Sequence, residues 1–460
     1  MARPTNLRSR GIERGQLKLQ VSFGLFWARA WLSQESGAVS IESVLHLSAV
    51  LVTLAAAFGY LNHRWLRLPR TVGFVIIALF TSFAGLMIDA LVPSLGFRAA
   101  VRGVLVDINL HDTLMKGMLG FLLFAGALSV DLDDLLKRRW AISMLATVGT
   151  LTGTLLVSVL TYAGWRALGF DVSWLQCLIF GALISPTDPI AVLGVLKKVA
   201  VPRTLQAKIA GESLFNDGIG VVTFTVLVGL GAGAASHDSI SAVAVAELLF
   251  TEVVGGITLG LLTGYLTFRV MRQVDEHNLE VLMTLSLVMV TSAVAGQLHV
   301  SGPLAVVVAG LFIGNHGVRF AMSTNTREHI ETFWSLLDEI LNSVLFLIIG
   351  FEVVALSLSG RVGLAVGLAI PVVLAARFVS VAGSITLLGL VRTFTRGAIP
   401  VLTWGGLRGG ISVALALSLP PSPTKDLLLA ATYGVVVFSI VVQGLTIESV
   451  VRRTVPTTEA

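Results

Sequence analysis

Two aspartates stand in apolar surroundings that ionised groups tolerate badly. Asp188 lies in Gly181-Ala-Leu-Ile-Ser-Pro-Thr-Asp-Pro-Ile-Ala191, and Asp217 in Gly211-Glu-Ser-Leu-Phe-Asn-Asp-Gly218. A carboxylate at the centre of a membrane-spanning helix costs about 3 kcal/mol on insertion scales, and acids so placed usually mark the path of a cation or a proton. Pro186 and Pro189 each remove a backbone donor and clash with the preceding turn, so a regular helix cannot run through Ser185-Pro-Thr-Asp-Pro189. Carbonyls freed at membrane depth are tolerated only inside protein or beside a wet cavity. Thr187 adds a hydroxyl next to the Asp188 carboxylate. The competing reading of this stretch is a proline kink with a capping aspartate.

On the following segment, Glu212, Ser213, Asn216, Asp217 and Gly220 share an arc of roughly 140° on a helix whose other faces are apolar. Asp217 offers a hard anionic oxygen suited to a bare monovalent cation. Ser213 and Asn216 supply neutral oxygens or orient the carboxylate, and Gly220 admits a close neighbour. The alternative is a helix–helix hydrogen-bonding patch. Glu212 requires a partner, and Arg377, within the apolar run Leu374-Ala-Ala-Arg-Phe-Val-Ser380, is the candidate for a structural ion pair. Arg377 holding a substrate anion is the other option.

Arg408, in Trp404-Gly-Gly-Leu-Arg-Gly-Gly410, sits among glycines that destabilise a regular helix. This predicts a second interrupted helix, with Arg408 accessory to the site, or else a glycine-rich packing interface. Glu352 closes another apolar run and reads either as an accessory acid of an ion funnel or as an interfacial residue. Lys208, Glu247 and Glu252 are ambiguous in the same way. Gly256, Gly260 and Gly264 suggest close helix packing, and Asp131, Asp133 and Asp134 a solvated loop face.

The elements that must hold these residues are membrane helices. The 460-residue chain is 55% hydrophobic and 13% charged, with mean hydropathy +0.87, against about 25% charged residues in soluble domains. Apolar runs near 43–62, 71–92, 114–130, 141–163, 174–196, 204–232, 245–268, 279–298, 302–316, 331–354, 362–387, 398–419 and 426–450 predict an all-α polytopic protein of about 13 transmembrane helices. Interruptions near 185–189 and 404–410, one in each half, suggest inverted repeats crossing at an ion site.

With the C-terminus in the cytoplasm, the clusters Arg64–Arg70, Lys137–Arg139, Lys197–Arg203 and Arg452–Arg453 all fall on that side. The net charge of +5 therefore reads as membrane topology and not as nucleic-acid binding. One cysteine, Cys177, excludes internal disulfides. Histidine spacing gives no metal-ligand pair, and no cofactor is expected. Residues 1–40 form a basic N-terminal extension, disordered or interfacial. Residues 43–453 form the membrane domain, with no soluble C-terminal domain expected.

Ser185-Pro-Thr-Asp-Pro189, Glu212-Ser-Leu-Phe-Asn-Asp217 and Gly405-Gly-Leu-Arg-Gly409 together resemble the NhaP/NHE branch of the cation–proton antiporters. Phe333-Trp334 leading into Leu345-Phe-Leu-Ile-Ile-Gly350, and the setting of Arg377, resemble it too. The likeness runs from about residue 45 to 453. It implies thirteen helices, a core domain moving against a dimerisation domain, and a homodimer in the lipid bilayer. It also implies an ion site built from Thr187, Asp188, Ser213, Asn216 and Asp217, with Glu212 paired to Arg377. One departure is Ala125, where several prokaryotic relatives carry a glutamate.

The expected function is therefore secondary antiport of Na⁺ (or K⁺ or Li⁺) against H⁺ at the cell membrane, with no enzymatic step. A carboxyl group in a poorly solvated cavity beside a second acid keeps its proton to higher pH than in water. Proton and cation then compete for one site at Asp217 and Asp188. Asn216 beside Asp217 leaves one titratable group in that pair, which favours an electroneutral 1:1 cycle. A K⁺/H⁺ antiporter, a cation channel and an organic-anion transporter are the alternatives.

Overall fold

The structure, a computed structural model, describes residues 41–92, 101, 103, 117–189, 192, 193, 196, 203–235, 242–355, 360–390 and 397–455. The chain divides at Val50 into two units. Of the first, residues 41–50 are described and are helical; the contacts reported below belong to the second, Leu51–Ala460.

Among the described residues every regular element is a helix. In chain order these are α1 (Ile41–Leu61), α2 (Arg70–Leu91), α3 (Leu119–Leu128), the short α4 (Leu132–Lys137), α5 (Arg139–Ala167), α6 (Trp174–Ile184) and α7 (Arg203–Ala235). Then come α8 (Ala242–Met271), α9 (His277–Leu298), α10 (Gly302–Phe320), α11 (Thr324–Glu352), α12 (Gly360–Gly389), the half-length pair α13 (Ala398–Trp404) and α14 (Gly410–Leu417), and α15 (Lys425–Thr454). Nine of them are long and apolar enough to cross a bilayer; α3 and α6 are shorter apolar helices. In hydrocarbon every backbone group must find a partner within the protein, and helices satisfy that locally.

Nine of the thirteen apolar runs contain a described helix long and apolar enough to cross a bilayer; the others coincide at least in part with Ile41–Leu61, with the shorter helices α3 and α6, or, at 398–419, with a broken pair. Residues 114–116 and most of 190–200 lie outside the described residues. The 302–316 run extends further than its apolar stretch suggests, because a π-turn at Ile313–Gly317 carries α10 on to Phe320.

Small residues set the closest packing. A Cβ on Gly256 would meet the Ser301 carbonyl oxygen at 2.9 Å, one on Gly260 would overlap the Ala305 carbonyl, and one on Gly264 would meet Ala309 Cα at 3.4 Å. The expected glycine seam is thus the contact of α8 with α10. Gly181 brings α6 against α5 in the same way, facing the Thr154 carbonyl. There the Ser158 hydroxyl donates to Thr154 O at 2.6 Å, and the Thr154 and Ser185 hydroxyls share a 2.9 Å bond. These bonds hold the end of α6, where the chain first departs from helix.

α11 is fixed by Trp334. Its indole N–H donates to Thr284 Oγ1 of α9 at 3.0 Å, and its ring packs 4.6 Å from that of Phe124 in α3. Buried between α3 and α9, this indole sets the rotation of α11 and so decides which of its residues face inward.

Candidate functional site

α6 ends at Ile184, and Ser185 to Pro189 lie outside any helix. α13 ends at Trp404, and α14 restarts at Gly410. The two breaks cross and are tied in both directions. The Asp188 amide donates to the Leu407 carbonyl at 2.8 Å. The Arg408 guanidinium, 6% exposed, donates from Nη1 to the carbonyls of Ser185 and Pro186. Those carbonyls close the C-terminal end of α6, where the helix dipole is negative and a cation is favoured. Gly409 makes the approach possible, since a Cβ there would lie 2.5 Å from Asp188 Oδ2.

A π-turn in α15, Ser439–Gln443, braces the second break. Ser439 Oγ accepts the Arg408 amide at 2.9 Å and donates to Gln443 Oε1 at 2.7 Å, while Gln443 Nε2 donates to Trp404 O at 3.0 Å. The carbonyls and amides that a broken helix releases are therefore largely satisfied from the opposing break and from α15.

α7 passes beside this crossing with its polar stripe inward. Thr187 N–H donates to Asn216 Oδ1 at 3.3 Å, Asn216 Nδ2 donates to Thr187 Oγ1 at 2.8 Å, and the Thr187 and Ser213 hydroxyls lie 2.9 Å apart. Asn216, fully buried, thus spends its oxygen and an N–H on Thr187. It holds Thr187 in place and does not line the adjacent cavity. Gly220 accommodates Pro186, whose Cγ would be 2.5 Å from a Cβ at that position.

Asp217 is 6% exposed. Its charged neighbours are Asp188 and Arg408, and its Oδ1 is buried with no hydrogen-bond partner among the described residues. Buried acceptors without donors are uncommon and costly. A proton on the carboxyl, or a cation against it, satisfies such an oxygen.

Arg377 and Glu212 lie behind this layer. Arg377 Nη1 meets Glu212 Oε1 at 2.5 Å and Nη2 donates to Leu402 O at 3.0 Å. The pair, 7% and 1% exposed, links α12, α7 and α13. Neither residue lines the cavity.

That cavity, of about 1210 Å³, is walled by Thr187, Asp188, Ser213 and Asp217 at its inner end. At its mouth stand Asp131, Asp134, Arg319, Arg327 and Glu331. α11 supplies one wall from Arg327 to Leu345, and its next turn, Phe346–Gly350, is buried. The cavity therefore reaches the site from one end of the bundle and stops there.

The chain from residue 50 to 453 matches the family model described as "Sodium/hydrogen exchanger, transmembrane". It is 45% identical over 418 residues to the Na(+)/H(+) antiporter NhaP of Pseudomonas aeruginosa, covering 89% of this chain and 97% of that one. The chain belongs to the sodium/hydrogen exchanger family. The Na(+)/H(+) antiporter NhaH of Halobacillus dabanensis is 32% identical over 429 residues, covering 89% of this chain and 96% of that one. In fold the chain is similar to the sodium proton antiporter MjNhaP1 of Methanocaldococcus jannaschii, with TM-score 0.70, 19% identity, and 89% and 98% coverage of the two chains. It is accordingly an integral, multi-pass membrane protein of a transporter family.

Within this exchanger fold, the crossing gathers Thr187, Asp188, Ser213, Asn216, Asp217 and Arg408 in one place. Glu352 is not among the cavity residues; it is buried at the far end of α11, with Tyr433 close by. Ala125 stands in the cavity wall. The loop acids do more than face solvent. Asp131 Oδ1 caps α4 by accepting the amides of Asp133 and Asp134, Asp134 pairs with Arg138 at 2.9 Å, and Asp133 pairs with Arg319 at 2.5 Å. Among the groups at the cavity that were not anticipated are Asp338 and Asn342 on α11 and Ser412 on α14. A helical-wheel count on 324–352 exposes the first two, since Arg327, Glu331, Ser335, Asp338 and Asn342 recur every three or four residues. His277 and His329, distant in sequence, pack with ring centroids 4.4 Å apart and planes tilted by 35°.

Proposed function

We propose that this chain exchanges Na⁺ for H⁺ across the lipid bilayer, one for one, at a single site centred on Asp217. The observation that carries the reading is the buried Asp217 carboxylate on the cavity wall, with one oxygen lacking a protein donor and Asp188 as its acidic neighbour. Two carboxylates in a confined, poorly solvated space cannot both stay charged cheaply, so one of them holds either a proton or a cation. Thr187 and Ser213 add hydroxyl oxygens of the kind that complete the shell of a small hard cation, and Asn216 keeps Thr187 turned toward it. Arg408 holds the two breaks together and offsets part of the acidic charge. The Glu212–Arg377 pair is scaffold and stays out of the exchange.

Competition between the two ions for one group provides the coupling, because neither can be carried while the other occupies it. The cavity mouth lies beside the basic residues Arg138, Arg319 and Arg327. By the excess of positive charge on cytoplasmic loops, this arrangement corresponds to a state open to the cytoplasm, with the C-terminus on that side and the protein in the cell membrane. The working assembly is a homodimer. The named activity of the relatives, Na(+)/H(+) antiport, supports Na⁺ as the cargo over K⁺ or Li⁺.

Purified protein in liposomes with an internal pH dye provides the test. Added Na⁺ is expected to move protons, with no dependence on a shunted membrane potential. Asp217→Asn is expected to abolish the signal in protein that still elutes as a folded assembly. Full exchange by that variant would refute the site. Exchange driven only by K⁺ would refute the choice of cargo.

A further inference from the structure

We propose that Glu352 and Tyr433 line the second access route to Asp188 and Asp217, the one from the face opposite the cavity mouth, which is shut in this conformation. The proposal rests on the reading of Asp217 given above and adds to it the residues on the other side of the site.

The helical period of α11 places Glu352 on the route. Glu331, Ser335, Asp338, Asn342 and Leu345 line the cavity at steps of three and four residues. The same steps lead on through Ile349 to Glu352. The face of α11 that walls the cavity therefore continues past the cavity's inner end and reaches Glu352 two turns, about 10 Å, beyond Leu345. Between the two, Phe346, Leu347, Ile348 and Ile349 form one buried apolar turn. That turn is the plug that keeps the site from being open at both ends.

Two polar groups are stranded beyond the plug. Glu352 is 7% exposed and Tyr433 1%. Glu352 Oε2 and the Tyr433 hydroxyl have no hydrogen-bond partner among the described residues, although Glu352 is the charged neighbour of Tyr433. The two side chains belong to different parts of the bundle. Beside Glu352, α11 is clamped to α2, since a Cβ on Gly350 would overlap Ala78, and Ser82 Oγ donates to Gly350 O at 3.0 Å. Tyr433 lies on α15, whose π-turn is bonded to the second break through Arg408 N–H and Trp404 O. A buried polar group without a partner is costly. Two of them on either side of one boundary are satisfied together when that boundary parts and water enters. Parting there also frees the plug and brings water along the α11 stripe to the inner site. Glu352 and Tyr433 thus favour the conformation in which this route is open, and removing their polar groups favours the conformation described here.

The test reads access with thiol reporters. Cys177, buried and the one cysteine of the chain, is replaced by alanine, and single cysteines are placed at Ile349 in the plug or at Ala125 in the cavity wall. A charged, membrane-impermeant maleimide is applied to either face of proteoliposomes sorted by orientation. Ile349→Cys is expected to label from the face opposite the cavity mouth, and Ala125→Cys from the cavity side. Tyr433→Phe and Glu352→Leu are each expected to slow the labelling of Ile349→Cys at least fivefold, the effect of removing one stranded polar group, without slowing that of Ala125→Cys. Where Ile349→Cys does not fold, Glu352→Cys reads the same route, with Tyr433→Phe as the variant. Absence of labelling from the opposite face, in reporter protein that still exchanges Na⁺ for H⁺, would overturn the route. Labelling that is unchanged or faster in both variants would overturn it too. Tyr433→Phe removes a hydroxyl that holds nothing, so it should melt no lower than the parent; a lower melting temperature would show that hydroxyl to be bonded and overturn its part. Labelling does not require the inner site, so the reporters should respond in Asp217→Asn as they do in the parent. Intact exchange in Asp217→Asn overturns the reading of Asp217 and leaves the route standing.

Discussion

Replacing Arg377 by Met should destabilise the protein far more than replacing Arg377 and Glu212 together. In the single variant, Glu212, 1% exposed, keeps a charge that water cannot reach and loses the guanidinium 2.5 Å away. With charge centres about 4 Å apart and an effective dielectric near 20, the lost attraction is about 4 kcal/mol. The abandoned bond to Leu402 O adds about 1 kcal/mol. Relaxation and water entry recover part of this, so a net loss of about 3–5 kcal/mol is expected. Unfolding entropy of about 2.1 cal/mol/K per residue over 460 residues converts that loss to a fall of roughly 4 °C in melting temperature. The double variant Glu212→Leu/Arg377→Met removes both charges and should melt within about 2 °C of the parent. Thermal unfolding in detergent, followed by tryptophan fluorescence, reads both. A single variant that melts with or above the double would refute the scaffold role of the pair.

Two further outcomes are expected. Gly409→Ala places a methyl group against the Asp188 carboxylate in an extended backbone conformation that alanine can adopt; exchange in liposomes should fall by at least tenfold, about 1.4 kcal/mol of misplacement, and parent-like activity would contradict the close crossing. Glu276, outside the membrane spans, caps α9 by accepting the amides of Asn278 and Leu279 at 3.2 and 2.8 Å. The Leu279 bond, first among these contacts, holds its carboxyl below the ordinary glutamate value. The folded form therefore binds this proton less readily than the unfolded chain. The stabilisation is complete above the unfolded value and is lost as pH falls through the lowered folded value. Glu276→Gln should flatten the melting-temperature-versus-pH curve on the acid side, and an unchanged acid slope would contradict the cap.

The two breaks could be read from the chain because their causes are local: paired prolines around Asp188, and glycines around Arg408. The polar arc on α7 is likewise a matter of helical period. Glu212 and Arg377 could be matched because each is a buried charge in want of the other. What spacing could not supply is the pairing across the fold. Nothing local says that Arg408 reaches the carbonyls of Ser185 and Pro186, or that the Asp188 amide takes Leu407 O. These contacts depend on how two segments more than two hundred residues apart are laid across each other. Asn216 shows the same limit from the other side. Its place on the arc was evident, but its amide is consumed by Thr187, which only the register of α6 against α7 decides. Asp338 and Asn342 lay in a helix read for its apolar end, and their inward rotation is set by Trp334 and its partners in α3 and α9.

The lashing of the two interruptions to each other limits how this bundle can move. The guanidinium clasp of Arg408 is buried, the backbone joint at Asp188 reinforces it, and the anchor at Arg377 fastens α7 and α12 to α13 beside them. A hinge at either interruption would have to tear all of these at once. Any rearrangement that turns the acids from one face of the bilayer to the other must therefore carry the lashed segments as a single rigid cargo, with the slippage confined to the plainer surfaces around them.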